Sequence, residues 1–305
     1  MRPFNYSRSC VGVDINENEI RLMHLKKQKQ QWIVINFAVA PLPKDAILDG
    51  RIKHFESVQK TLKQLVTKTQ TKCLPAVIAI PFTHVITKKI KLDSHIEESE
   101  YWDEISTHLS TYLPGMSEEM CFDFVKLQSD RVEHTELLLV ACREELLNLY
   151  SAVVKEAGLT LRIIDIDLYA LIRSVMAALP AEIQFPFCIV HIEKAMTYIV
   201  VLAKNAILFQ QQWPTIEEDQ LFFYIHRALQ LCLSTHLTLQ INRILIVGMT
   251  SKPASFFENF SIPTIVFDPL AIYFSKSSKK REALMRDSSR LIVSCGLAMR
   301  KLKIW

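Results

Sequence analysis

The chain repeats one order of secondary structure, and this repetition restricts its fold more than any other feature of the sequence. Each half opens with three strand-like runs of apolar residues that are separated by short polar turns. A stretch in which helical and strand-like periods alternate then follows in both halves. The repetition predicts an α/β protein of two lobes that share one topology. The opening runs are 10–15, 19–25 and 32–40 in the first half and 187–192, 196–203 and 206–212 in the second.

The first half also carries an additional stretch before its last strand. A strand, helix, strand, strand, helix order over about 83–160 predicts an α+β subdomain inserted into the first lobe. Prolines at 180 and 186 are typical of a linker, so we place the two lobes at 1–183 and 184–305, the second being shortened. In the second lobe, helices are predicted at 217–234, near 255–260 and at 282–302.

The composition is that of a globular protein, with 50% hydrophobic and 22% charged residues among 305. The formal net charge is only +4, which argues against a nucleic-acid-binding surface. The chain has six glycines and no two are close together, whereas average usage of ~7% would give roughly twenty. Phosphate-binding loops depend on clustered glycines for positive φ and close backbone approach. The sequence therefore contains neither a P-loop nor a dinucleotide-binding fingerprint.

Seven cysteines, an odd number without a CxxC pair, are typical of reduced core residues in a cytoplasmic protein. The nine histidines lack the spacing of zinc ligands, so no metal site is expected. The first ten residues lack the apolar core of a signal peptide, and the apolar stretch 187–203 is interrupted by charged residues. We therefore expect a cytoplasmic protein without a membrane span.

Six short blocks along nearly the whole chain are similar to one known family. The GVDINENEIRL of residues 12–22 resembles the GLDIGSSSVKLVEL that begins PilM proteins, the FtsA-like components of type IV pilus assembly. The resemblance implies the actin-like fold of that family, a bilobed α/β architecture with an inserted α+β subdomain and a nucleotide cleft between the lobes. The other blocks follow in the family's order at 40–52, 79–81, 112–124, 139–167 and 295–300.

The resemblance implies a nucleotide site in which the phosphates lie between two hairpin turns, one from each lobe. In the first turn, Asp14 is retained and would organise Mg²⁺ through water. Asn16 stands where the family has glycine, and Glu17 stands where it has a small hydroxyl residue, so a carboxylate would face the phosphates. Asp14 also has a structural explanation as a turn residue at the end of a strand.

The second and third turns depart from the family pattern as well. His191 and Glu193 occupy the turn that the family writes as DIG, and Gly248 is the one glycine left in a turn that would support adenosine. The small subdomain that the family places after the second meander is missing. We therefore expect a vestigial nucleotide cleft, no cofactor, and little or no ATP hydrolysis. The alternative is an active actin-like ATPase of the pilus or of a DNA-uptake machine, binding ATP and Mg²⁺.

The resemblance further implies a scaffold at the cytoplasmic face of the inner membrane. Such a scaffold binds the N-terminal tail of a PilN-like bitopic partner, and pilus motor ATPases are further candidate partners. Extended peptides commonly bind at a sheet edge with apolar pockets, so a groove beside the inserted subdomain is the candidate site. Its residues would be Phe82, Val85, Ile86, Leu113 and Phe122, each of which has an alternative role in the core.

Two other surface interactions are left open by the sequence. The basic run 276–281 is either a site of peripheral contact with anionic lipid or a solvated loop before a helix. Association of two or more copies of the chain is also open.

Overall fold

The computed structural model describes residues 9–29, 31–114, 119–127, 134–204, 206–215, 218–248, 260–271 and 278–301. These residues form two lobes, each built around a five-stranded sheet, and a three-stranded sheet that belongs to an insertion in the first lobe. No helix among them is both long enough and apolar enough to cross a membrane.

The first lobe is organised around a central strand that is buried along nearly its whole length. In chain order the lobe and its insertion comprise β1 (Ser9–Ile15), β2 (Glu19–Gln28), β3 (Gln31–Pro41), β4 (Ile47–Leu48), β5 (Arg51–Ile52), α1 (Phe55–Thr69), β6 (Pro75–Ile80), β7 (Ile86–Asp93), α2 (Tyr101–Thr107), α3 (Leu109–Tyr112), β8 (Met120–Lys126), β9 (His134–Arg143), α4 (Glu144–Glu156), β10 (Thr160–Ile166) and α5 (Asp167–Ala178). The order in the large sheet is β10-β6-β1-β2-β3, with β1 antiparallel to β2 and parallel to β6. The carboxyl ends of β1, β6 and β10 therefore meet at one edge of the sheet, where ligands of open α/β sheets usually bind.

The insertion is a small sheet of order β7-β9-β8 with its own apolar core. Tyr101 and Ile105 of α2, together with Leu113 directly after α3, supply the other side of this core. The predicted insertion also included the segment up to residue 160, but α4 packs into the core of the first lobe instead. Tyr150 and neighbouring apolar residues of α4 are buried there, because the apolar face of the helix is directed at α1 and β10.

The second lobe repeats the plan of the first. It comprises β11 (Phe187–Ile192), β12 (Met196–Ala203), β13 (Ala206–Pro214), α6 (Glu218–Thr235), β14 (Ile244–Gly248) and β15 (Thr264–Val266). The sheet order is β13-β12-β11-β14-β15, with two antiparallel pairings on one side of the central strand β11 and two parallel pairings on the other. Only residues 215–217 separate β13 from α6. The predicted actin-like, bilobed α/β fold is confirmed. The helix expected near 255–260 lies almost entirely outside the described residues.

The C-terminal segment differs from its prediction. In place of one helix over 282–302, the chain forms α7 (Ser278–Asp287), a 3-10 turn and then α8 (Ile292–Ala298). The break lets α8 enter the core of the first lobe, where it is buried and packs on β1 and α5. Two glycines permit this close approach: a Cβ on Gly12 would lie 2.0 Å from the Ser294 carbonyl oxygen, and one on Gly296 would lie 1.8 Å from the Ala170 carbonyl oxygen. The segment assigned to the second lobe thus ends within the first.

Candidate functional site

A cavity of about 350 Å³ lies between the lobes, at the ends of β1, β6 and β11. Five residues of the predicted vestigial cleft line it, although they come from chain positions far apart: Asp14, Asn16, Glu17, His191 and Glu193. Gly248 lies behind this wall and has a φ of +95°, and a Cβ there would lie 2.2 Å from the Ile192 carbonyl oxygen. The six predicted positions are therefore brought together.

The turn after β1 satisfies its own backbone donors. The side-chain oxygen of Asn16 accepts hydrogen bonds from the backbone N–H groups of Asn18 and Glu19, both at 3.0 Å. Backbone N–H groups of a turn bind an anion when they are free to face it. In this turn those two donors are already engaged. The Asn16 side-chain nitrogen also donates to Glu193 of the opposite lobe at 3.4 Å.

Arg21, on β2, is the centre of a buried ion network that joins the lobes. Its side chain is only 2% exposed. Within the first lobe it donates to Glu19 at 2.7 Å and to Asp14 at 3.1 Å. Across the cleft its two terminal nitrogens donate to the two carboxylate oxygens of Glu193, at 2.7 and 3.2 Å. Two-pronged arginine–carboxylate pairs of this type are the strong and directional ones. The Glu193 carboxylate thus binds Arg21 between the two hairpin turns.

The network continues to the C-terminal segment. Arg290, in the turn before α8, donates to both oxygens of Glu19 and to Asp287 at 3.0 Å. Burial alone would raise the pKa of Glu19. The hydrogen bond from Arg290 and the charge of Arg21 have a larger effect in the opposite direction, so the pKa of Glu19 lies below its ordinary value. Glu19 therefore remains an anion held between two arginines.

Charges at the cleft shift the pKa values of its titratable groups in both directions. Burial raises the pKa of Asp14 to about 7, since the repulsion from Glu193 adds to the cost of desolvation and Arg21 only partly offsets it. For Glu193 the attraction of Arg21 outweighs burial, and the pKa is lowered. Burial lowers the pKa of His191 to about 4, so its imidazole is neutral at pH 7.

Asp167 is a further cavity residue, outside the positions predicted for the cleft. It is the first residue of α5, at the end of β10, and lines the cavity. Its carboxylate accepts hydrogen bonds from the backbone N–H groups of Phe82 at 2.9 Å and Leu168 at 2.6 Å. Burial raises the pKa of Asp167 to about 7 despite these donors.

The residues predicted for a partner groove do not share one surface. Val85 and Leu113 are buried, the first in the core of the first lobe and the second in that of the insertion. Ile86 and Phe122 pack against the core of the insertion, and Phe82 against that of the first lobe. For Val85 and Leu113 the core role that the sequence left open is the observed one.

The insertion exposes apolar side chains at positions other than those predicted for the groove. Trp102 of α2 is 50% exposed and stacks on Phe122 with ring centroids 4.4 Å apart. Val125 is 54% exposed on β8, which is an edge strand. Residues 276 and 277 of the basic run 276–281 lie outside the described residues, and the side chains of residues 278–280 are not described either.

Comparison with known proteins agrees with this architecture. The family model for the type IV pilus assembly protein PilM matches residues 12–214. A solved structure of a PilM–PilN type IV pilus biogenesis complex contains a chain of similar fold, with a TM-score of 0.77 and 17% identity over 97% of this chain and 99% of that one.

More distant structures include a Bacteroides thetaiotaomicron protein with an actin-like ATPase fold, at a TM-score of 0.49 and 10% identity over 88% of this chain and 94% of that one. The ethanolamine utilization protein EutJ of Carboxydothermus hydrogenoformans has a TM-score of 0.48 and 14% identity, over 97% and 90% of the two chains. The family match covers about two thirds of the sequence. The chain belongs to the PilM family of type IV pilus assembly proteins.

Proposed function

We propose that this protein is a structural component of type IV pilus assembly that binds a PilN-like partner and hydrolyses little or no ATP. The observation that carries the proposal is the two-pronged bond between Arg21 and Glu193 across the cleft. An anion of the protein itself holds the two hairpin turns together, in the space where the family resemblance puts the phosphates of a nucleotide.

Electrostatics also disfavour a nucleotide in this cavity. A triphosphate would have to displace Glu193 from Arg21 and then face the carboxylates of Asp14 and Glu17. Among the described residues, no lysine or arginine lines the cavity to balance the added charge. Like charges brought together at low dielectric repel strongly. Retention of Asp14 alone therefore does not make the cleft a nucleotide site.

The edge of the inserted sheet is the surface that best suits an extended partner segment. An edge strand presents unpaired backbone groups to which a further strand can be added. At the β8 edge, the half-exposed ring of Trp102 lies beside Phe122 and gives the apolar contact that such binding requires. Tryptophan is also among the residues that most often dominate interface energies. We therefore propose β8 and Trp102, rather than Val85 and Leu113, as the binding surface.

A bitopic partner would place the protein at the cytoplasmic face of the inner membrane. In that position the protein would link the membrane complex to cytoplasmic components such as the motor ATPases. The experiment that tests the proposal uses a fluorescent peptide of the N-terminal tail of the PilN-like partner. Its anisotropy is titrated with wild-type protein, with Trp102→Ala, and with the control Leu237→Ala, whose side chain is 90% exposed in the second lobe.

We expect the wild-type protein to bind the tail equally well with and without Mg-ATP. Trp102→Ala should weaken binding about tenfold or more, as for an interface residue worth ~2 kcal/mol, and Leu237→Ala should leave it unchanged. Failure of the wild-type protein to bind the tail would refute the scaffold function. If the affinity for the tail changed when Mg-ATP was added, the proposal that the scaffold works without nucleotide would be refuted.

A further inference from the structure

The cavity between the lobes has walls that are mostly apolar. Ile15, Ile80, Leu168, Met196 and Val293 contribute to them, from both lobes and from α8. Its volume of about 350 Å³ is at the lower end of the ~300–1,000 Å³ usual for small-molecule sites. The space therefore suits a compact ligand with an aliphatic body.

The polar part of the lining is acidic. Asp167, Glu17 and Asp49 line the cavity in addition to Asp14 and Glu193, which bind Arg21. Arg21, behind the lining, is already bound by Asp14, Glu19 and Glu193, and no arginine or lysine among the described residues lines the cavity. An anionic ligand is excluded by this charge, whereas a cation would compensate it.

A second, independent feature is an unsatisfied nitrogen in the wall. His191 is 1% exposed, and its Nε2 makes no hydrogen bond within the described part of the chain. The nearest acidic oxygen, of Glu193, is 3.5 Å away and is already engaged by Arg21. A buried polar atom without a partner costs stability, and a ligand that supplies the partner recovers it. A neutral imidazole nitrogen accepts a hydrogen bond from an ammonium group.

The nature of the cation follows from the walls. The described residues include no group of three or more side chains placed to hold a metal ion. The aliphatic lining favours a ligand with an apolar body, and the lining also includes Tyr198, an aromatic residue of a type that attracts cations. These features point to an amine rather than an inorganic ion.

We infer that the cavity between the lobes binds an alkylammonium group, whose charge is balanced by the acidic lining, whose nitrogen donates to His191, and whose aliphatic body lies against the apolar walls. The group comes either from a free aliphatic amine or from a lysine side chain of another protein. This site does not depend on the β8 surface, so failure of peptide binding leaves it standing, but it rests on the proposed absence of a nucleotide from the same cavity.

The test measures thermal unfolding and calorimetric binding with n-butylamine as the probe. We expect the melting temperature to rise with amine concentration, while 1-butanol and Mg²⁺ at the same concentrations leave it unchanged. Asp167→Asn keeps the shape and an acceptor oxygen but loses the charge, so it should weaken amine binding about tenfold or more. The control Glu56→Gln removes an exposed carboxylate of α1 and should bind the amine normally.

A second variant keeps the inference testable if Asp167→Asn fails to fold. Ala195→Leu, in the cavity wall, fills the space without removing a charge, and it should abolish amine binding. Capped lysine and capped norleucine distinguish the two sources of the ammonium group. If capped lysine stabilises the protein and capped norleucine does not, the ligand is a lysine side chain. If butylamine stabilises the protein and capped lysine has no effect, the ligand is a free amine. Equal effects of butylamine and butanol, or an effect of Mg²⁺ alone, or none from any probe, would overturn the inference.

Discussion

Arg21 holds carboxylates from two lobes in a space with little access to water. Its bonds to Asp14 and Glu193 join the two hairpin turns at distances of 3.1 and 2.7 Å. A buried ion pair contributes little net stability compared with an apolar replacement of both partners, since desolvation cancels most of the attraction. Removing one partner is different, because it leaves the other charge buried without compensation.

Replacement of Arg21 by methionine should therefore destabilise the protein strongly. The variant leaves Asp14 and Glu193 buried without their cation, and we expect a loss of about 3–5 kcal/mol in urea unfolding followed by circular dichroism. Adding Glu193→Gln should recover part of the loss, because one uncompensated charge is removed. The exposed Arg162→Met is the control. Equal stability of the Arg21 and Arg162 variants would show that the network does not hold the lobes.

Asp167 should make stability depend on pH. Its pKa is raised from the ordinary 3.8 to about 7 by burial. Between these two values the folded protein binds a proton that the unfolded chain has lost, so this group makes stability fall as pH rises from about 4 to 7 and adds no further change above that range. Measured against Asp167→Asn at each pH, the wild-type protein should lose relative stability across that window. A constant difference between the two proteins would contradict the raised pKa.

Residues of the cleft were predictable where a family motif marks a turn, and less so elsewhere. Asp14, Asn16 and Glu17 lie in a strand–turn–strand pattern that is plain in the sequence, and the cavity contains all three. Arg21 is part of the same block, yet its role depends on Glu193, which lies far away in the chain. Asp167 was not among the predicted cleft residues, because its place in the cavity follows from the parallel pairing of β10 with β6.

At the scale of elements, α8 connects the C-terminal part of the chain to the core of the first lobe. It packs between β1 and α5, and Gly296 lies so close to α5 that a Cβ would be 1.8 Å from the Ala170 carbonyl oxygen. Gly296→Ala should separate α8 from α5 and cost at least the ~1–3 kcal/mol typical of overpacking. The urea midpoint of this variant measures the effect. A stability equal to that of the wild-type protein would mean that α8 is not tightly packed.

The strands of both meanders were predictable because each is short, apolar and bounded by polar turns. Assignment of helices to a lobe was less reliable. The amphipathic pattern of α4 shows that one face is buried, but it does not say against which sheet, and α4 joins the first lobe rather than the insertion. The break before α8 escaped prediction for a related reason, since tertiary packing rather than local preference determines where the helical run ends.

At the scale of the whole molecule, α8, which returns to the first lobe, and the bond from Arg21 to Glu193 both connect the lobes. The bond occupies the space that a nucleotide would need. Its removal should therefore make nucleotide binding easier. In Glu193→Gly the Arg21 side chain loses its partner across the cleft while it keeps Asp14 and Glu19. We expect weak Mg-ATP binding to appear in calorimetry, provided that the variant retains its fold by circular dichroism.

Calorimetric titration of the wild-type protein with Mg-ATP, combined with its melting temperature at millimolar nucleotide, tests the degenerate cleft most directly. A ligand at 100 times its Kd stabilises a folded protein by ~2.7 kcal/mol, which such an experiment detects readily. We expect no binding heat and no change in melting temperature. A micromolar Kd for ATP with a clear rise in melting temperature would show that the bond between Arg21 and Glu193 yields to phosphate and that the cleft is a working nucleotide site.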